Sequence, residues 1–191
     1  MISKDRRYRA FECRADANEA AVDGYAAVFD TPEVMYEFDG VKYSEVIERG
    51  AFDEAQMGDV VMNFNHGGKP VARTKNGTLQ LMVDDHGLKV RADLSSTAES
   101  RALYDEIKAG LIDKMSFAFT VNKEAYNKDT RTRSIQGIKR VFDVAAVDFP
   151  AYESTAITAR SYFEAEAERE RAEARHALEL AKAKYFYMGV N

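Results

Sequence analysis

Ser116, His66 and two aspartates, Asp143 and Asp148, are the residues of this 191-residue chain whose types could together open an acyl bond. Serine chemistry needs a base to take the hydroxyl proton, a third group to orient that base, and donors for the developing oxyanion. Ser116 lies in "DKMSFAFT", residues 113–120. As a strand, this run puts Met115, Phe117, Phe119 and Val121 on one face and Ser116, Ala118 and Thr120 on the other. The serine looks away from the aromatics, with only small side chains beside it. That is either the half-exposed face of an antiparallel sheet or a displayed hydroxyl. His66 closes "VVMNFNH", a strand pattern running into the glycine turn "HGGKP". It either finishes a strand or is a base held by the sheet yet accessible. "VFDVAAVDFP" supplies the acids. Asp143 and Asp148 lie five positions apart, so on one continuous strand they face opposite sides and only one can point at His66. Arg73, Gly67 and Gly68 are candidates for positive charge or backbone N–H donors. No local spacing rule ties these residues together, so the structural and the chemical readings both stand on pattern alone.

The elements that must position them are mostly short strands. Between about residues 20 and 160, "GYAAVFD", "YSEVIER", "VVMNF", "GTLQLMV", "GLKVRADL", "KMSFAFTV", "IKRVFDVAAVDF" and "TAITARSYF" are β-branched or aromatic runs set apart by turn residues. "LMVDDHGLKV" reads as a hairpin turning near Asp85, His86 and Gly87, which makes His86 a turn residue. One helix interrupts the strands. Ser96 and Glu99 have capping-box spacing, Leu103, Ile107 and Leu111 recur every four residues, and Gly110 stands where the helix should end. Many strands with one packed helix predict a mainly β (α+β) fold: a small closed or nearly closed antiparallel barrel with one or more packed helices. The expected organisation is an N-terminal extension over residues 1–19, a barrel over 20–160 and a charged helical tail over 161–191. That tail, "EAEAERERAEARHALELAKAK", has early glutamates and late lysines, which suits the helix dipole. Its apolar face is mostly alanine with Leu178, so it reads as solvated or as pairing with another chain, with His176 on the surface and the apolar end "YFYMGVN" docked or removed.

Composition narrows the function classes. A 46% hydrophobic, 11% aromatic chain has material for a real core. A single cysteine, Cys13, excludes an internal disulfide, and three histidines with no H-E-x-x-H pattern give little for a zinc site. A net charge of −5 offers no general attraction for nucleic acid or anionic lipid. The basic start "MISKDRRYRAFECRAD" lacks an apolar signal region, and no run approaches the roughly 18 apolar residues of a membrane span. A soluble, reduced, cytoplasmic protein is expected.

The ordered motifs "GYAAVFD", "EVIERGAFD", "NH", "GTLQL", "LYDEIKAGLIDKMSFAFTV" and "VFDVAAVDFPAYEST" resemble the prohead maturation proteases of tailed bacteriophages, relatives of the herpesvirus assembly proteases. The resemblance runs over roughly residues 20 to 160 and is absent from the tail. It implies a β-barrel serine endopeptidase, needing no cofactor and no metal, that works in the host cytoplasm inside the viral procapsid. Implied partners are the scaffold protein, the major capsid protein or its scaffolding segment, and the enzyme itself; no direct nucleic acid or membrane is implied. A homo-oligomer is expected only by analogy with the herpesvirus enzymes. Carried over by position, Ser116 is the nucleophile and His66 the base. Asp143 stands where the family has glutamate and is the expected third member, with Asp148 its rival. Arg73 and Gly67 are the expected oxyanion or substrate contacts, although "VART" lacks the glycine that often precedes this arginine. Lys114 and Ala118 stand where the family usually has glycine. A non-catalytic assembly protein retaining the fold is the rival reading. A β-barrel ligand-binding module follows if Ser116 proves buried and far from His66.

Overall fold

The fold is organised by one long strand that has different partners at its two ends. The computed structural model describes residues 7–16, 19–38, 40–148 and 154–188, with side chains for 12–16, 19–37, 40–148 and 162–184. Its strands are β1 (Arg7–Ala15), β2 (Ala21–Val28), β3 (Glu33–Phe38), β4 (Val41–Ile47), β5 (Val61–Phe64), β6 (Gly67–Arg73), β7 (Leu79–Val83), β8 (Gly87–Asp93), β9 (Lys114–Asn127) and β10 (Thr132–Val147). Two α-helices, α1 (Ala98–Lys108) and α2 (Ser154–Met188), and a 3-10 turn over Thr74–Asn76 complete the described elements. The sheet runs β3-β4-β10-β9-β1-β2-β8-β7, with β5 attached to β10 and β6 to β5. β10 takes β4 as a parallel neighbour over Thr132–Ile135 and β5 as a parallel neighbour over Asp143–Ala146.

The expected closed, antiparallel barrel is corrected by this topology. The sheet is a curled half-barrel and is mixed. β3 and β7 stand at opposite ends of the path with no pairing between them. Closure is replaced by coverage. α1 buries Leu103, Tyr104 and Ile107 against the core, and α2 buries Phe163 and Ala167 beside Tyr43. The main core holds Met115, Phe117 and Phe119 of β9 with Val144 and Ala146 of β10 and Leu88 and Val90 of β8. Phe117 and Phe119 stack with centroids 4.4 Å apart. Bulges between β9 and β10 from Ile135 to Asp143 bend the pair so that the sheet can curl.

Local chemistry explains three smaller differences. The α1 N-cap is Thr97, whose side chain accepts from the Ser100 N–H, so the Ser96–Glu99 box does not form and Glu99 instead pairs with Lys69 at 3.2 Å. Gly110 follows the helix at φ +74, a left-handed residue that turns the chain out before Leu111 can join the buried stripe. Leu111 is 72% exposed. The run "TAITARSYF", read as a strand, opens α2 instead. Phe163 and Ala167, one turn apart, commit it to helix by docking. The Asp84–Gly87 hairpin forms as expected, with the Asp84 carboxylate accepting from the His86 and Gly87 N–H groups.

β1, inside the segment read as an extension, is an interior strand between β9 and β2. α2 is pinned by Phe163 against Tyr43 and Tyr126, by Arg133 over the Tyr162 ring at 4.4 Å, and by Glu170 and Glu173 pairing with Arg131 and Lys128. Burial, and next the Glu170 charge, push the Tyr126 phenol well above its ordinary range. Residues 171–184 of the helix are exposed. Phe163→Ala should cost about 3 kcal/mol of docking. Hydrogen exchange should then find α2 deprotected while β9 and β10 keep their protection; unchanged protection of α2 would mean the ion pairs alone hold it. No helix of the described residues is long and apolar enough to cross a membrane.

Candidate active site

His66 is positioned by a two-residue hairpin. β5 and β6 are joined through Asn65 and His66, with Phe64 opposite Gly67. Both linking residues have positive φ, +48 for Asn65 and +56 for His66. This is the backbone sense that matches strand twist in tight hairpins, and Asn tolerates it best among residues with a side chain. The turn is fixed to β10 twice: the Asn65 N–H donates to the Ala146 carbonyl at 3.0 Å, and the Asp148 N–H donates to Asn65 Oδ1 at 3.3 Å. From that anchored turn the imidazole folds back over the sheet. Its Nδ1 lies 2.5 Å from Asp143 Oδ1. Side-chain exposures of 11% for His66 and 7% for Asp143 put the pair out of bulk water, where a charge-assisted hydrogen bond is strengthened.

Ser116 sits beside that pair on the same face of the sheet. Register makes Ser116 the partner of Ala145, and Ala145 the partner of Asn63. The adjoining row is Ala118, Asp143, Val61 and Arg73. Ser116 and Asp143 are therefore diagonal neighbours, on the order of 7–8 Å apart. Met115 and Phe117 take the opposite face into the core, as the period-two reading expects. Ser116 is fully buried and its Oγ has no hydrogen-bond partner. The burial half of the condition for the ligand-module reading is met, while register places Ser116 diagonal to Asp143, the residue that His66 contacts. Ala118, also fully buried, lies opposite Asp143 rather than over an open cleft, so its extra methyl packs within the sheet face.

The other expected site residues fall as follows. Arg73 forms a bidentate pair with Asp59, at 2.7 and 2.8 Å. The hydrogen bond from Arg73 comes first among the causes that hold the Asp59 carboxyl down at about 2, so this pair stays ionised at neutral pH. Gly67 is exposed where β6 begins, directly after His66. Gly68 has φ +73 with open space around it, a backbone state for which glycine is suited. Asp148 lies past the end of β10, exposed, with its backbone engaged by Asn65. Lys114 is across from Val147, with Nζ 3.8 Å from Asp113. Cys13 is buried, and desolvation first, then the Asp113 charge, raise its thiol to about 11, which withholds the thiolate a cysteine nucleophile needs. Among the described residues, no cluster of His, Cys, Asp and Glu is arranged to hold a metal ion. Asn65 was missed in the sequence, although asparagine heading a two-residue hairpin is a recognised signal.

A family model described as caudovirus prohead serine protease matches residues 8–169. The chain belongs to that family. The prohead protease of Enterobacteria phage HK97 is similar to it, 30% identical over 150 residues that cover 75% of this chain and 61% of that protein. The chain thus spans about three-fifths of the length of the curated relative it matches. No solved structure matches. The region shared with the caudovirus prohead serine proteases begins inside β1 and ends just beyond Phe163 and Ala167. The docked start of α2 belongs to the family core, and most of the exposed helix lies beyond it.

Proposed function

We propose that this chain is a capsid-maturation serine endopeptidase in which Ser116 is the nucleophile, His66 the general base and Asp143 the group that orients the base. The contact between His66 Nδ1 and Asp143 Oδ1, on the sheet face that carries Ser116, is the observation that supports it. With its Nδ1–H donated to the carboxylate, the imidazole keeps Nε2 as the basic nitrogen. Ser116 Oγ attacks the substrate carbonyl carbon while Nε2 takes its proton. The tetrahedral oxyanion collapses, the C–N bond breaks, and the proton passes to the leaving amine. Water then attacks the acyl-serine through the same base and frees the carboxylate product. General-base action at this level is worth about two to four powers of ten in rate. Oxyanion donors add about two to three more. The Gly67 backbone and Arg73, which shares the Asp143 row, are the candidates for that role.

Family membership supports scaffold protein, or the scaffolding segment of the major capsid protein, as the substrate, cut inside the procapsid in the host cytoplasm, with self-cleavage in the α2 tail following. Ser116 Oγ is fully buried, so on this reading a substrate carbonyl reaches it only after its surroundings open. Co-expression with the neighbouring capsid protein, read by intact-mass spectrometry, tests the reading. Shortened capsid chains and a shortened α2 are expected. Full-length masses throughout, with particles formed, would assign the chain to the non-catalytic assembly class instead. Processed capsid chains beside an intact α2 would remove only the self-cleavage step.

A further inference from the structure

A cleft of about 860 Å³ opens beside the His66 turn, between the β5–β6 hairpin and α1. Phe64, Val71, Leu103, Leu111 and Ile112 give it an apolar floor. Two of these are unusually open for large apolar side chains, Phe64 at 41% and Leu111 at 72% exposure. Such surface is costly to leave in water and marks a binding groove more often than chance. Glu99, Glu106 and Asp148 border the cleft, and among the described lining residues the one amine, Lys69, is paired with Glu99.

Through Asp148 the cleft rim continues the chain of β10, the strand that pairs with Ser116. Asp148 lies three residues along the chain from Ala145, the partner of Ser116, which is about 10 Å in a strand. An extended peptide advances by the same rise per residue, so the cleft meets a side chain two or three residues from the scissile bond. The outer edge of β6 also suits an extended ligand. Val71 O is capped by Ser100 Oγ and the Arg73 N–H by Thr78 Oγ1, while Gly67, Gly68 and Lys69 are exposed on a strand that, among the described residues, pairs with β5 alone. Backbone pairing along such an edge is a standard way to hold a peptide, with side-chain pockets supplying selectivity.

Resting on the protease reading above, we infer that this cleft selects extended peptide substrates carrying an apolar side chain next to a lysine or arginine, two or three residues from the cut. Leu111 and the neighbouring floor take the apolar group, and Glu106 takes the cation.

The test uses the full chain with Ser116→Ala, which holds peptides without cutting them, and a mixed library of synthetic ten-residue peptides. Retained peptides are sequenced by mass spectrometry. Enrichment of apolar residues adjoining Lys or Arg is expected. Adding Glu106→Lys should lower the basic enrichment roughly tenfold, because a surface attraction becomes a repulsion. Adding Leu111→Ser should lower the apolar enrichment by a similar factor. Both positions are exposed, so the fold should tolerate the changes. Glu179→Lys, the same charge change on exposed α2, should alter nothing. No enrichment, an enrichment that Glu106→Lys leaves intact, or an equal loss with Glu179→Lys would each overturn the inference. The protease reading is judged separately by cleavage of the co-expressed capsid protein, so either can fail alone.

Discussion

Ser116→Ala lowers cleavage of a co-expressed capsid substrate by on the order of 10⁴- to 10⁶-fold, and at the same time leaves the protein as stable as before or slightly more so. The expected activity loss follows from removing the atom proposed to form the acyl bond, for which no neighbour can substitute. The stability forecast follows from the burial of Ser116 Oγ with no hydrogen-bond partner. A buried, unsatisfied hydroxyl costs roughly 1–3 kcal/mol. Alanine removes that cost and suits a neighbourhood that already holds Ala118 and Ala145. A melting temperature equal to or a few degrees above wild type, together with uncut substrate, is the expected pair of results. Cleavage at the wild-type rate would remove Ser116 from the mechanism. A marked drop in melting temperature would show that the hydroxyl has a structural partner instead.

Asp143→Asn is expected to cost about 10⁴-fold in turnover, by analogy with the buried acid of serine proteases, where the amide favours the wrong imidazole tautomer. The reason here is specific. Asp143 Oδ1 meets Nδ1 at 2.5 Å, and both side chains are nearly withdrawn from solvent. An amide of the same shape preserves packing but can present N–H to that nitrogen, which moves the ring proton to Nε2 and removes the base. Asp148→Asn should change turnover less than about threefold, because its side chain is exposed past the end of β10. Steady-state kinetics on both variants decides the third member. A larger loss with Asp148→Asn would reverse the assignment.

How much of this could be read from residues alone depended on whether the signal was local. Period two in "KMSFAFTV" correctly turned Phe117 and Phe119 into the core and Ser116 to the other face, because alternation is a property of one strand, but that face is buried as well and the hydroxyl is not displayed. The Asp84–Gly87 turn was equally local. The contact between His66 and Asp143 joins residues 77 positions apart, and it exists because β5 lies parallel to β10 in one register. Nothing in either segment encodes a parallel neighbour, so the choice between Asp143 and Asp148 stayed open and the sheet was read as antiparallel. α2 misled for a different reason. Thr155, Ile157 and Thr158 favour strands intrinsically, and docking of Phe163 outweighs that preference. Leu111 kept the helical period that predicted its burial, but Gly110 ends the helix before it.

The interior place of β1 governs when the molecule can assemble during its synthesis. Ala10 pairs with Ser116 and Arg7 with Phe119, so β1 meets one of its two neighbours only after roughly a hundred further residues have left the ribosome. Contacts of such long sequence separation form slowly and late. β1 can pair with β2 at once, but its other edge stays open until β9 emerges, and until β10 follows there is no acid for His66. A nascent or truncated chain therefore carries the serine and the histidine without the surface that aligns them. If the chain is the peptidase proposed above, this order keeps its reaction from beginning on the polysome.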